Sequence, residues 1–139
     1  MRTIDEIIIH CAATPEGKNF TAKDIERWHK ARGFKTIGYH YVITLDGKQH
    51  QGRPLEQMGA HCKGRNASTI GICYIGGVDA KGKPKDTRTE AQTRSLLGLC
   101  QKLLDRYPSI RKISGHNQYA NKACPSFDVA QDPLGKLIS

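Results

Sequence analysis

The sequence predicts an α/β fold: a mixed central β-sheet of about five strands, flanked by two long helices and a short C-terminal helix, in a single domain spanning residues 1–139. Two segments, 4–10 and 69–75, are runs of β-branched residues with the composition of strands covered on both faces. Helix-start signals stand at Thr21 and Thr89, between and after those runs. Strands and helices therefore interleave, the pattern of a sheet with helices on its faces. A third observation sets the direction of the fold. A polar loop near the end, 115–127, carries His116, Lys122 and Cys124, and an apolar run ending in a histidine stands at the other end of the chain.

The first strand is expected over 4–10, with three consecutive isoleucines before His10. A polar residue at the carboxyl end of a buried strand lies where open α/β sheets place their ligands. A loop with Pro15 and Gly17 follows. Thr21 then caps a helix with Asp24 in its first turn, Ile25 and Trp28 share its inner face, and Gly33 ends it. Residues 39–44 form the next strand, Asp46-Gly47 is a two-residue hairpin signal, and 48–52 return. Residues 59–66 show no periodicity, which leaves His61 either exposed or lining a site, with exposure the default. After the strand at 69–75, Gly76-Gly77 and a Lys-rich surface loop lead to Thr89-Glu90-Ala91-Gln92, a capping box. Leu96, Cys100, Leu103 and Tyr107 recur at helical spacing and Pro108 stops the helix. A short strand at 110–114 delivers the His116 loop, and a short helix restarts beyond Pro125.

Composition excludes several classes. No apolar run approaches the length of a membrane span, and the acids at Asp5 and Glu6 break the stretch a signal peptide needs. No membrane insertion is expected, and the chain is expected to be made in the cytoplasm without a signal peptide. Five cysteines make an odd count without framework spacing, and Cys73 and Cys100 read as buried thiols. The net charge of +9 favours a polyanionic partner, yet the basic residues are scattered and no nucleic-acid motif is present. Nucleic acid is not an expected partner.

His10, His116 and Cys124 are the metal-ligand candidates. Neutral imidazole and thiolate are zinc donors, and a catalytic zinc site needs three protein ligands with a fourth position open. On spacing alone, a capping histidine and a packed thiol are the better account of His116 and Cys124, since a histidine and a cysteine at this separation are a weak metal signal. His29, His40 and His50 read as structural.

Four blocks in order carry a resemblance: 8–14 (Ile-Ile-His-Cys-Ala-Ala-Thr), 37–43 (Ile-Gly-Tyr-His-Tyr-Val-Ile), 71–77 (Gly-Ile-Cys-Tyr-Ile-Gly-Gly) and 122–128 (Lys-Ala-Cys-Pro-Ser-Phe-Asp). Together they resemble the phage-lysozyme branch of the type 2 N-acetylmuramoyl-L-alanine amidases, which share the peptidoglycan-recognition fold. The resemblance implies one zinc ion per chain on His10, His116 and Cys124, and catalytic roles for Tyr39 and Lys122. It sets His61 in the substrate-groove loop. It further implies a monomeric endolysin of a phage or prophage, acting on the bacterial cell wall after release. Its substrate would be peptidoglycan, cut at the amide between the lactyl group of N-acetylmuramic acid and L-alanine. Two other readings remain at this point: a peptidoglycan-binding module without activity, which retention of the cysteine opposes, and a regulator binding RNA polymerase, which the short segment before the first strand opposes.

Overall fold

The computed structural model describes residues 2–138. Five strands form one sheet in the order β4-β3-β5-β1-β7. These are β1 (Glu6–Cys11), β3 (Tyr41–Ile43), β4 (Gln49–Gln51), β5 (Thr69–Tyr74) and β7 (Lys112–Gly115). Strand β1 pairs in parallel with β5 on one side and β7 on the other, so its isoleucine run is central and fully buried, as its composition predicts. Only β4 runs antiparallel, returning from β3 through the Asp46-Gly47 turn.

The period-two alternation of β1 divides its side chains between two layers. Ile7, Ile9 and Cys11 enter a core shared with Ile70, Ile72, Tyr74 and the inner stripe of α2 (Glu90–Arg106): Leu96, Leu99, Cys100 and Leu103. On the opposite face, α1 (Ala22–Ala31) places Ile25 against Ile37, Val42, Cys73 and Ile75, with Trp28 packed alongside. Glu6, Ile8 and His10 alternate with the residues of the α2 core and so point to that second face.

Both helices start at the predicted caps. Thr21 and Asp24 exchange backbone and side-chain hydrogen bonds, as do Thr89 and Gln92. Two features differ from the sequence expectation. The short C-terminal helix takes the form of two 3₁₀ turns, Val129–Gln131 and Gly135–Leu137. A two-stranded parallel pairing, β2 (Thr14–Pro15) with β6 (Gly77–Val78), extends beyond the main sheet. Strands of two residues carry no periodicity, so nothing in the sequence marks them.

Candidate active site

The carboxyl ends of parallel β1 and β7 lie side by side, Ile9 opposite Gly115. His10 follows Ile9, and His116 follows Gly115 at the start of a 3₁₀ turn, His116–Gln118. The loop then bends back. Cys124 Sγ accepts the Cys11 backbone N–H at 3.2 Å and lies 3.8 Å from His10 Nδ1. One donor atom each from His10, His116 and Cys124 falls within 4.8 Å of the others. Residues more than a hundred positions apart thus meet at one sheet edge because two parallel strands are in register there.

Aromatic rings surround His10. The His116 ring centroid lies 4.6 Å away, His61 4.9 Å and Tyr39 5.0 Å. His10 Nε2 is 2.8 Å from His61 Nδ1. Lys122 is exposed and, with His61, His116 and Tyr119, lines an open cleft of about 520 Å³ beside this cluster. Arg32 and Lys63 add positive charge to the cleft, and none of the residues lining it is a carboxylate.

The electrostatics suit cation binding. Burial, followed by the neighbouring His61, His116 and Lys122, holds His10 well below the usual histidine range, so it is a neutral imidazole. His116 is lowered by burial and by Lys122. Burial first, then the charge of His40, brings His61 down to about 3. The two thiols compete for one negative charge. The hydrogen bond with Cys124 draws Cys11 down to about 7, and the same contact, with burial, pushes Cys124 up. Burial and the surrounding thiols raise Tyr39 well above the ordinary phenol range, so Tyr39 stays protonated.

Of the two settings the aperiodic loop left open, His61 takes the site-lining one and not the exposed one. It is buried, because its ring packs over β5 and bonds to His10 and Thr69. His29 and His40 are structural as expected. His29 Nδ1 accepts the Gly38 N–H next to Tyr39, and His40 Nδ1 accepts the Gly71 N–H. Arg32, Lys63 and Tyr119 were not singled out by the sequence; scattered basic charge was the only signal for the arginine and the lysine, and the tyrosine had none.

A family model described as N-acetylmuramoyl-L-alanine amidase matches residues 1–127. The chain belongs to this amidase family. The endolysin of Escherichia phage T7 is 42% identical to the amidase over 125 residues, covering 90% of this chain and 82% of the relative. The endolysin of Enterobacteria phage K11 is 39% identical over 135 residues, covering 96% and 89%. Among solved structures, the N-acetylmuramoyl-L-alanine amidase LysC of Clostridium intestinale superposes with a TM-score of 0.79 at 30% identity, covering 91% of this chain and 79% of that one. Drosophila PGRP-LB superposes at 0.80 with 23% identity, over 96% and 84%, a likeness of fold. The amidase is thus an enzyme of the class its four sequence blocks resemble.

Proposed function

We propose that this amidase is a phage or prophage endolysin, one domain over residues 1–139, holding one zinc ion on His10, His116 and Cys124. It would cut peptidoglycan between the lactyl group of N-acetylmuramic acid and L-alanine of the stem peptide. The observation that carries the reading is the convergence of two neutral imidazoles and a thiol at the edge of an open basic cleft. The donor set fits zinc, and three ligands are what a catalytic rather than a structural site supplies. The Cys124 thiol, raised in pKa next to Cys11, fits as well, because a cation beside it compensates the thiolate.

Bound there, zinc supplies Lewis-acid polarisation of the scissile carbonyl and lowers the pKa of a water to about 7. The protein's own groups do the rest. Lys122 brings an ammonium to the cleft wall, where it stabilises negative charge developing on the carbonyl oxygen. Tyr39, protonated and packed on His10, orients the attacking water through its hydroxyl rather than removing a proton from it. The basic lining of the cleft suits a muramyl peptide bearing carboxylates. A glycosidase would need a pair of carboxylates about the scissile bond, and the cleft lining offers none.

The endolysin names of the relatives support action on the cell wall. Among the described residues no helix is long and apolar enough to cross a membrane. Nothing favours RNA polymerase binding as a second role, and we take the working form to be a monomer. The deciding experiment is digestion of purified peptidoglycan with and without a chelator. New L-alanine amino termini, intact glycan strands and loss of activity on chelation are expected. New reducing ends, or full activity with zinc stripped, would refute the reading.

A further inference from the structure

The polar groups beneath the cleft are joined in a chain whose proton order is fixed at one end. Thr69 Oγ1 lies 2.9 Å from the Arg65 carbonyl, which only accepts, so the hydroxyl donates there. The same oxygen lies 3.2 Å from His61 Nε2 and therefore accepts from it. A neutral imidazole carries one N–H, so His61 Nδ1 is bare. That nitrogen is 2.8 Å from His10 Nε2, which must then carry the proton of His10. His10 is left with a lone pair on Nδ1, the atom 3.8 Å from Cys124 Sγ.

We propose that His61 is a positioning residue for the metal centre: the chain Arg65 carbonyl, Thr69, His61 holds His10 in the tautomer that presents Nδ1 to the metal. Were Thr69 to donate to His61 instead, every proton in the chain would reverse and His10 would turn an N–H toward Cys124, closing the site. A ligating histidine commonly gives its second nitrogen to such a partner, which fixes both ring orientation and basicity. Here the partner is itself an imidazole, able to hold either polarity, so the threonine hydroxyl decides which one it holds.

The surroundings are built to fit this ring. A Cβ on Gly71 would stand 2.5 Å from His61 Cγ, and one on Gly59 would stand 2.7 Å from its Cδ2, so two glycines leave the slot it occupies. The backbone N–H groups of His61 and Cys62 both donate to Asn66 Oδ1 at 2.9 Å, pinning the segment that carries the ring. His61 also reaches the cleft wall, so a contact with substrate is compatible with this role.

The inference rests on His10 being a metal ligand, and the experiment separates the two claims. The full-length chain is stripped of metal, its His10 tautomer read by nitrogen-15 NMR, and its zinc affinity measured by competition with a chelator. The wild type should show His10 protonated on Nε2. His61→Leu should mix the two tautomers and weaken zinc binding by about 10- to 100-fold. His61→Asn, whose Oδ1 takes the place of Nδ1 and only accepts, should return affinity to within about threefold of wild type, a rescue that bulk filling of the slot does not provide. Thr69→Val should weaken zinc in the same direction, and Thr69→Ser should not. If His61→Leu fails to fold, the Thr69 pair decides. A single Nε2–H tautomer with unchanged zinc affinity in the His61→Leu or Thr69→Val protein overturns the proposal. A wild type that takes up no zinc overturns the metal reading, while its tautomer still shows whether His61 sets the proton on His10.

Discussion

At the scale of single residues, holding a metal and using it separate cleanly. Lys122 lies two positions from Cys124, but an ammonium has no lone pair to offer a metal. Lys122→Ala should keep near-full zinc occupancy and lower turnover by roughly 10²- to 10³-fold, the usual cost of losing one oxyanion donor. Lys122→Met, which keeps the length without the charge, should do no better. Peptidoglycan release at the wild-type rate with zinc bound would reduce Lys122 to a surface charge. Tyr39→Phe removes only a hydroxyl from a ring packed on His10, so it too should retain the metal and lose activity. His10→Ala and Cys124→Ser act on the other side of the division: metal analysis should find zinc lost or weakened, and activity should fall with it. His10, Tyr39, Lys122 and Cys124 could be singled out because each sits in a block whose order along the chain is specific, and His116 because it opens the polar loop that ends in the last block. The setting of His61 was not legible. Its partners Thr69 and His10 come from two other strands, and a loop without periodicity carries no sign that its ring turns inward.

At the scale of elements, the capping boxes were the most legible feature, since N-cap and N3 are local and three residues apart. The second task of Gln92 was hidden. Its Oε1 accepts the Thr89 N–H at 3.0 Å, while its Nε2 donates to the carbonyls of Ile43 at 3.1 Å and Ile75 at 2.9 Å. One fully buried amide thus caps α2 and ties it to the ends of β3 and β5. A capping box accepts Glu as readily as Gln, but here a carboxylate oxygen would face two carbonyl oxygens in a dry site. Gln92→Ala takes the side-chain donor from the Ile75 carbonyl and leaves the Ile43 carbonyl with only the Ile75 N–H, and it should cost about 1–3 kcal/mol. Gln92→Glu should cost more, although by local rules it is the milder change. Urea unfolding of both variants tests this, and a Glu variant as stable as wild type would mean that α2 is capped but not tethered. The hairpin at Asp46-Gly47 and the stop at Pro108 were legible for the same local reason as the caps, although Thr44 pairs with Lys48 across three residues rather than two. The β2–β6 pairing was not, because its two strands lie far apart in sequence and each is too short to show a period.

At the scale of the whole molecule, an excess of positive charge surrounds a core that buries histidines in neutral form. His40 is held down to about 4 and His61 to about 3, in each case first by burial. In the unfolded chain a histidine titrates near 6.5. The folded values are the lower ones, so between those values and 6.5 the unfolded state binds more protons. The contribution to stability is complete above about pH 6.5 and is lost as the pH falls toward 4 and then 3. Each histidine removes up to about 1.4 kcal/mol per pH unit once the unfolded form is fully protonated, so the pair removes about 3 kcal/mol between pH 6.5 and 5. That is a large share of the roughly 5–15 kcal/mol that stabilises a typical domain. The net charge of +9 at neutral pH grows on acidification and acts in the same direction through self-repulsion. The chelated protein should therefore lose urea resistance steeply from pH 6.5 to 5 at constant ionic strength, with net proton uptake on unfolding. High salt should remove the repulsive part and leave the histidine part. A flat profile across that range would mean that these rings are solvated in the working protein, and that the polar chain beneath the cleft is not closed to water.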